Sequence, residues 1–262
     1  TEAFLFLAGM YLTARLFYRW YKLLLDAWPR DRGKIARYVL GILPALAFVS
    51  IWVILLTMAS YDVVGIWVFF YILMGYAWIY AGVFLMERFL DLSPAYDTVY
   101  LDNRAAIFPV AGGFLGLTSI YAGANTGNGP GWWVVLIAGG VGLIAWLLLA
   151  FAINTVSGVS ERITVDRDIG CGIRNGAYLI ASGLILARAS GGDWTSFYAT
   201  LIEFSLGWPV IPLAGLVILV ELFMIRHSEK TGLTSSVLWG SVYLIYAIYM
   251  LMLLPPLSGK GV

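Results

Sequence analysis

Two stretches, Leu101-Asp102-Asn103-Arg104-Ala105-Ala106 and Val165-Asp166-Arg167-Asp168-Ile169-Gly170, pass in the same way from a polar start into an apolar, glycine-bearing run. The first run continues through Gly112, Phe114 and Leu115, the second through Gly176, Tyr178 and Leu179, and each is followed by another apolar segment. An echo about 64 residues on is the mark of a repeated unit, here a pair of apolar helices with a polar head. Asp102, Asn103, Asp166 and Asp168 stand where a side-chain oxygen accepts from the unpaired N–H groups of a helix start and where negative charge suits the helix dipole. Capping accounts for these residues. The concentration of Asp102, Asn103 and Arg104 at one helix start, and of Asp166, Arg167 and Asp168 at the other, also makes them a candidate polar site for a ligand or ion.

Composition decides the solvent. With 61% hydrophobic and 12% charged residues and a mean hydropathy of +0.87, the chain lies outside the range of water-soluble domains. It reads as an all-α, polytopic integral membrane bundle of seven or eight helices containing a tandem, parallel two-helix repeat. A formal net charge of +1 offers no basic field for nucleic acid. Cys171 is the single cysteine, which excludes an internal disulfide and a cysteine-based metal cluster. The chain starts at Thr1 rather than methionine, so residues are expected to be missing or removed there. The first apolar stretch leads into Arg15 and Arg19 without a small-residue cleavage site and does not read as a signal peptide.

A bilayer core of about 30 Å needs roughly 20 apolar residues in a helix. Stretches of that kind fall at roughly residues 3–24, 38–58, 63–86, 105–124, 132–153, 169–189, 205–225 and 234–254. The first carries Arg15, Arg19 and Lys22 in its second half, which suits either a spanning helix with a snorkelling end or a helix lying on the surface. Basic residues thread the rest. Arg15, Arg19, Lys22, Arg30, Arg32, Lys34 and Arg37 flank the first connection, Arg88 and Arg104 the third, Arg162 and Arg167 the fifth, and Arg226 and Lys230 the seventh, while only Arg188 borders an alternate one. The odd connections are therefore expected on the cytoplasmic side. Both repeats then enter the membrane from that same face, and their pseudo-twofold axis runs along the membrane normal.

The segment 91–102, with Pro94, is the best module boundary. It divides N-terminal helices (1–90) from a repeat core (91–227), leaving a C-terminal helix and tail (228–262). Within the core, Gly112 and Gly116 are spaced for close helix approach. Gly139, Gly140 and Gly142 on the next helix offer a facing surface, and Gly172, Gly176 and Gly183 repeat the device in the second copy. The helices at 105–124 and 169–189 are expected at the centre.

The motifs Asn103-Arg104-Ala105-Ala106 with Gly112, and Asp168-Ile169-Gly170-Cys171 with Gly176, resemble the two halves of a bacterial inner-membrane family, domain of unknown function 350, the YjfL-like proteins. In that family each half starts with Asn-x-Ala-Ala and continues as a two-helix hairpin. The resemblance covers about residues 90–226; the second half departs from it, with Asp168 for the asparagine and Gly170-Cys171 for the alanine pair. It implies a multipass inner-membrane protein and no particular activity.

Charge inside the bilayer is a functional signal by default. Arg174 lies about 8 Å inside its helix and Glu221 at a comparable depth in a following antiparallel one, at 1.5 Å per residue, so they can meet. Arg188 and Glu203 sit together near the opposite face and form the second candidate ion pair. Pro209 and Pro212 make the helix at 205–225 irregular. A structural pair that orients the hairpin is the better reading of Arg174 and Glu221.

Other chemistries lack their residues. His227 is the only histidine; it is expected in a solvated loop and cannot supply a bis-histidine haem site. Tyr61-Asp62 and Tyr96-Asp97 lack the glycine-aspartate partner motif of intramembrane aspartyl proteases, and Gly191-Gly192-Asp193 only approaches it. No nucleophile elbow, phosphate loop or metal-ligand spacing is present in the sequence, so no catalytic, cofactor or metal residue is assigned and no enzyme is expected. Trp132, Trp133, Trp194 and Trp208 read as interfacial anchors, and 125–131 as a flexible turn. The expected role is a non-catalytic structural or accessory subunit in a bacterial cytoplasmic membrane, with the lipid bilayer and membrane proteins or further copies as partners. The alternative is an ion channel or small-solute transporter using the acidic caps.

Overall fold

A computed structural model of the chain describes residues 2–26, 33–227 and 232–257. Arg30, Arg32 and Lys230, counted above with the basic connections, lie outside the described residues, as does the tail after Leu257. The described chain is helical: α1 (Glu2–Asp26), α2 (Lys34–Thr57), α3 (Ile66–Leu90), a π-helical turn (Tyr96–Tyr100), α4 (Arg104–Ala124), α5 (Trp132–Ser157), the short α6 (Val159–Thr164), α7 (Ile169–Ser190), α8 (Phe197–Phe204), α9 (Val210–His227) and α10 (Leu233–Leu253). Among the described residues, seven helical stretches are long and apolar enough to cross a membrane: α2, α3, α4, α5, α7, α8 with α9, and α10. The protein is a polytopic integral membrane helical bundle. In hydrocarbon every backbone group must be satisfied inside the protein, and helices do this within one segment.

α1 falls outside those seven, yet it does not lie across the others. Phe6 stacks on Phe70, Thr13 donates to the Leu73 carbonyl at 3.1 Å, Phe17 meets Tyr76 edge-on and Arg19 reaches the Tyr80 hydroxyl at 2.9 Å. Residue numbers rise together on both sides. α1 therefore runs beside α3 along its length.

Prolines mark where the backbone was reworked. Pro44 inside α2 has no N–H for the Leu40 carbonyl, and the Trp20 indole donates to that oxygen at 3.0 Å while Tyr21 donates to the Gly41 carbonyl at 3.0 Å. Pro109 likewise frees the Ala105 carbonyl of α4, which faces Gly172 of α7. The stretch expected as one helix at 205–225 is broken at Gly207 to Pro209, where a 3-10 turn (Ser205–Gly207) ends α8; Pro212 sits in the first turn of α9, where a missing N–H costs least.

α4 and α7 form the centre. A Cβ added at Gly172 would strike the Ala105 carbonyl, at Gly176 the Phe108 carbonyl, at Gly112 the Gly176 carbonyl, and at Gly123 the Ala187 carbonyl. Partners climb together, so the two helices run in the same direction at backbone contact. On α5, Gly139 and Gly142 do face α4, at Ala124 and Ile120, with Trp78 and Ser190 beside them, but they meet side chains rather than backbone, and Gly140 faces open space, which corrects its place in that surface. Small residues select the partner that approaches closest, and that partner is α7. Around this centre the buried core runs unbroken from Leu16 to Ala247.

The connections on each face are tied to one another. Opposite the basic side, Gly127 donates to the Met58 carbonyl, Gly192 to Thr126, and Trp194 to Asn128, while the Asn128 amide donates to Asp193 at 2.6 Å. The 125–131 turn is thus pinned between the α2–α3 and α7–α8 connections rather than loose, and Trp133 and Trp194 pack edge to face beside it at 5.1 Å. On the basic side, Gly33 donates to Asp102 at 2.9 Å and Ser160 to the Leu90 carbonyl at 2.6 Å. His227 is the last residue of α9, not part of a loop as expected.

Candidate functional site

The polar starts of α4 and α7 share one backbone design. Asp102 (φ 49) and Arg167 (φ 54) adopt the left-handed region immediately before the caps Asn103 (φ −84, ψ 100) and Asp168 (φ −72, ψ 100). The turn before each is closed alike, with Asn103 N–H donating to the Asp97 carbonyl and Asp168 N–H to the Arg162 carbonyl, both at 3.0 Å. Such a turn swings the chain from a short helical lead-in, the π-turn in one case and α6 in the other, into a long buried helix.

The caps then diverge, and their chemistry explains why one is an amide and the other an acid. Asn103 accepts from the Ala105 N–H at 3.0 Å and donates its amide to the Ile163 carbonyl at 2.7 Å, joining the start of α4 to the lead-in of α7. An amide supplies both acceptor and donor, whereas an ionised carboxylate only accepts. Asp168 accepts from the Cys171 N–H at 3.1 Å with one oxygen and from Arg162 at 2.8 Å with the other. Asn103→Ala is expected to cost about 2 kcal/mol, from the lost cap and the orphaned Ile163 carbonyl. Asn103→Ser should restore the cap share alone; thermal unfolding in micelles reads both, and equal loss in the two variants would discount the cap.

Arg162 continues the chain of charge inward. Its other guanidinium nitrogen meets Glu221 Oε2 at 2.7 Å. Arg174 holds the same carboxylate from the far side with Nε to Oε1 at 2.6 Å and Nη2 to Oε2 at 2.7 Å, and gives Nη1 to the Ser236 hydroxyl at 2.6 Å. Arg174 and Glu221 are 0% and 1% exposed. Bidentate geometry of this kind is the strongest form of the pair. Two acids and two arginines from α6, the start of α7, α7 and α9 neutralise each other in an unbroken line toward the interior, and the Ser236 hydroxyl ties α10 to its inner end.

The residues singled out from sequence therefore separate. Arg174 and Glu221 stand together. Asn103 and Asp168 cap α4 and α7, and Asp102 accepts from Gly33. Arg104, Asp166 and Arg167 are exposed and stand apart from this line. Arg188 and Glu203 form no ion pair among the described residues: Arg188 donates instead to the Pro255 carbonyl at 2.6 Å, beside the end of α10. The broken helix before Pro209 shifts Glu203 into α8, out of the register assumed for the pair. Arg162, Ser236 and the buried Asp97 were not singled out as site residues. Asp97 accepts from the Ser93 N–H at 2.7 Å, and burial pushes its carboxyl above the ordinary value.

Burial would also raise Asp168, but the Cys171 amide and the Arg162 guanidinium outweigh it and hold the carboxyl below the usual range. Its contribution to stability is complete above the unfolded aspartate value of about 3.9 and is lost as pH falls from there through the lower folded value. Asp97 acts with the opposite sign, its burden easing as it protonates. Asp168→Asn is expected to flatten the fall in melting temperature between about pH 5 and about pH 3 relative to the parent, where the Asp97 effect is common to both. A steeper fall in the variant would contradict this.

The Domain of Unknown Function (DUF350) family model matches residues 40–190, more than half of the chain. The protein belongs to the DUF350 family. The match runs from within α2 to the last residue of α7, which corrects the extent expected from the motifs. The DUF350 region takes in α2 and α3, which pack against α4, and stops before α8, α9 and Glu221. The polar starts of α4 and α7 and the glycine crossing lie inside it, whereas Glu221 and Ser236 of the charge line do not. No curated protein and no solved structure matches the chain.

Proposed function

We propose that this DUF350 protein is a non-catalytic multipass subunit that gives structure to a membrane complex, in a bacterial cytoplasmic membrane with its basic connections inside. We read its two polar helix starts as the heads of two copies of one helix-pair unit. The observation that carries the proposal is the closed charge line: the hydrogen bonds of Arg174 and both oxygens of Glu221 are spent on Asp168's partner Arg162, on each other and on Ser236. Intramembrane charges that serve transport must exchange partners or meet water. These serve as a clamp that fixes four helices, and α10 beyond it turns Leu238, Ile245 and Met252 outward at 63, 64 and 78% exposure. An apolar face of this kind suits lipid or a neighbouring membrane chain.

The test is extraction in native bilayer discs, with subunit stoichiometry from mass photometry and native mass spectrometry. A fixed stoichiometry with another membrane chain or further copies supports the reading. A solitary monomer, or saturable ion or solute flux in liposomes that Glu221→Gln abolishes, overturns it.

A further inference from the structure

A groove of about 680 Å³ opens on the basic half of the protein between α1, α3 and the 91–103 connection. That size falls within the range of small-molecule sites. Its floor is apolar: Leu16, Trp20, Leu24, Leu40 and Val83 are buried there, and the exposed side chains of Leu23 and Phe84 form part of its lining toward the bilayer. Its polar lining includes Arg19, Tyr80, Glu87, Arg88, Tyr96 and Tyr100.

Arg19 is the unexplained member. It lies beside α3 well before the end of α1, and among the described residues its guanidinium meets the neutral Tyr80 hydroxyl and no carboxylate. Arg19 is exposed on the basic half of the protein, where a guanidinium without a carboxylate partner is placed to take an anionic headgroup. Arg88, in the last turn of α3, complements that helix's C-terminal dipole and adds positive charge to the same groove. Two arginines against the single acid Glu87 leave it net positive.

We propose that this groove binds one anionic phospholipid, its acyl chain on the Leu16–Trp20–Val83 floor and its phosphate on Arg19, with Arg88 and the tyrosine hydroxyls around the headgroup. The bilayer supplies this occupant at high local concentration, and the match is of both kinds: an apolar trough continuous with the lipid-facing side of α1 and α3, and basic charge on the leaflet side where anionic headgroups gather. The inference concerns the purified chain and stands whether or not the protein is a complex subunit.

The full chain, delipidated in neutral detergent, is titrated with phosphatidylglycerol or with phosphatidylcholine of the same acyl chains, and bound lipid is counted by native mass spectrometry alongside melting temperature. Phosphatidylglycerol is expected to bind saturably at one tight site and raise the melting temperature, with phosphatidylcholine about tenfold weaker. Arg19→Gln should weaken the tight site about tenfold, and Arg88→Gln a few-fold, whereas Arg15→Gln, outside the groove, should leave it unchanged. The melting temperature without lipid shows whether each variant is folded; if Arg19→Gln is not, Arg88→Gln and Leu23→Trp, which narrows the groove, carry the test. Equal binding of the two lipids, unchanged affinity in Arg19→Gln, displacement by inorganic phosphate alone, or a lipid-free dimer that covers the groove would each overturn the proposal.

Discussion

Glu221→Leu is expected to destabilise the protein more than Arg174→Leu, although the two residues share one ion pair. Removing Arg174 leaves Glu221 with Arg162, 2.7 Å away. Removing Glu221 leaves Arg174 fully buried with only the Ser236 hydroxyl, and leaves Arg162 with Asp168. Breaking a buried pair from one side costs on the order of 3–5 kcal/mol because the survivor keeps its desolvation penalty without its partner. Glu221→Leu should fall in that range, and Arg174→Leu at about half of it. The double variant Arg174→Leu/Glu221→Leu replaces the pair with apolar volume and should recover about 2 kcal/mol of the summed loss. Thermal or denaturant unfolding in micelles measures the cycle. Additive losses, or a larger loss from Arg174→Leu, would mean that the line of charge does not act as one unit.

The sequence shows one end of this clamp and hides the other. Arg174 and Glu221 are legible because charge inside an apolar helix is costly, and helical rise alone places them at one depth. Arg162 is not, because it counts equally well among the basic residues of a cytoplasmic connection. What turns it inward is α6, a six-residue helix started by Gly158 at φ 59, too short to show a periodicity. Ser236 has no signal of its own; a serine near a helix start is ordinary. The Arg188–Glu203 expectation failed for a related reason, since it assumed a regular helix through Gly207 and Pro209. Asn103 and Asp168 were legible as caps, but the tie from Asn103 to Ile163 depends on how the two lead-in turns meet, which no local pattern encodes. The mutual partner of the glycine helices was also out of reach: spacing shows that a helix can be approached closely, not by which neighbour.

Gly112→Ala, Gly172→Ala and Gly176→Ala should each cost about 3 kcal/mol, while Gly140→Ala should be neutral or slightly stabilising. The first three would set a methyl group against backbone of the opposite helix, at Gly176, Ala105 and Phe108 respectively. Helix backbone cannot rotate away as a side chain can, so α4 and α7 must separate around each such contact. At Gly140 nothing lies within 4 Å, and alanine gains its better helix propensity. Gly113→Ala falls between, because its methyl would meet the sulfur of Met86, the far part of a side chain that can rotate away. Loss is therefore set by what each glycine touches and not by its being a glycine in a membrane helix; equal melting temperatures for Gly112→Ala and Gly140→Ala would refute that. The same helix links the crossing to the clamp. Gly172 and Gly176 lie four residues apart on the α4 side of α7, and Arg174, between them in sequence, projects from the other side toward Glu221 and Ser236. Displacing α7 from α4 moves the arginine with it, so Gly172→Ala combined with Glu221→Leu should cost less than the sum of the two, whereas Gly123→Ala, at the far end of α4 from the clamp, should combine additively with Glu221→Leu.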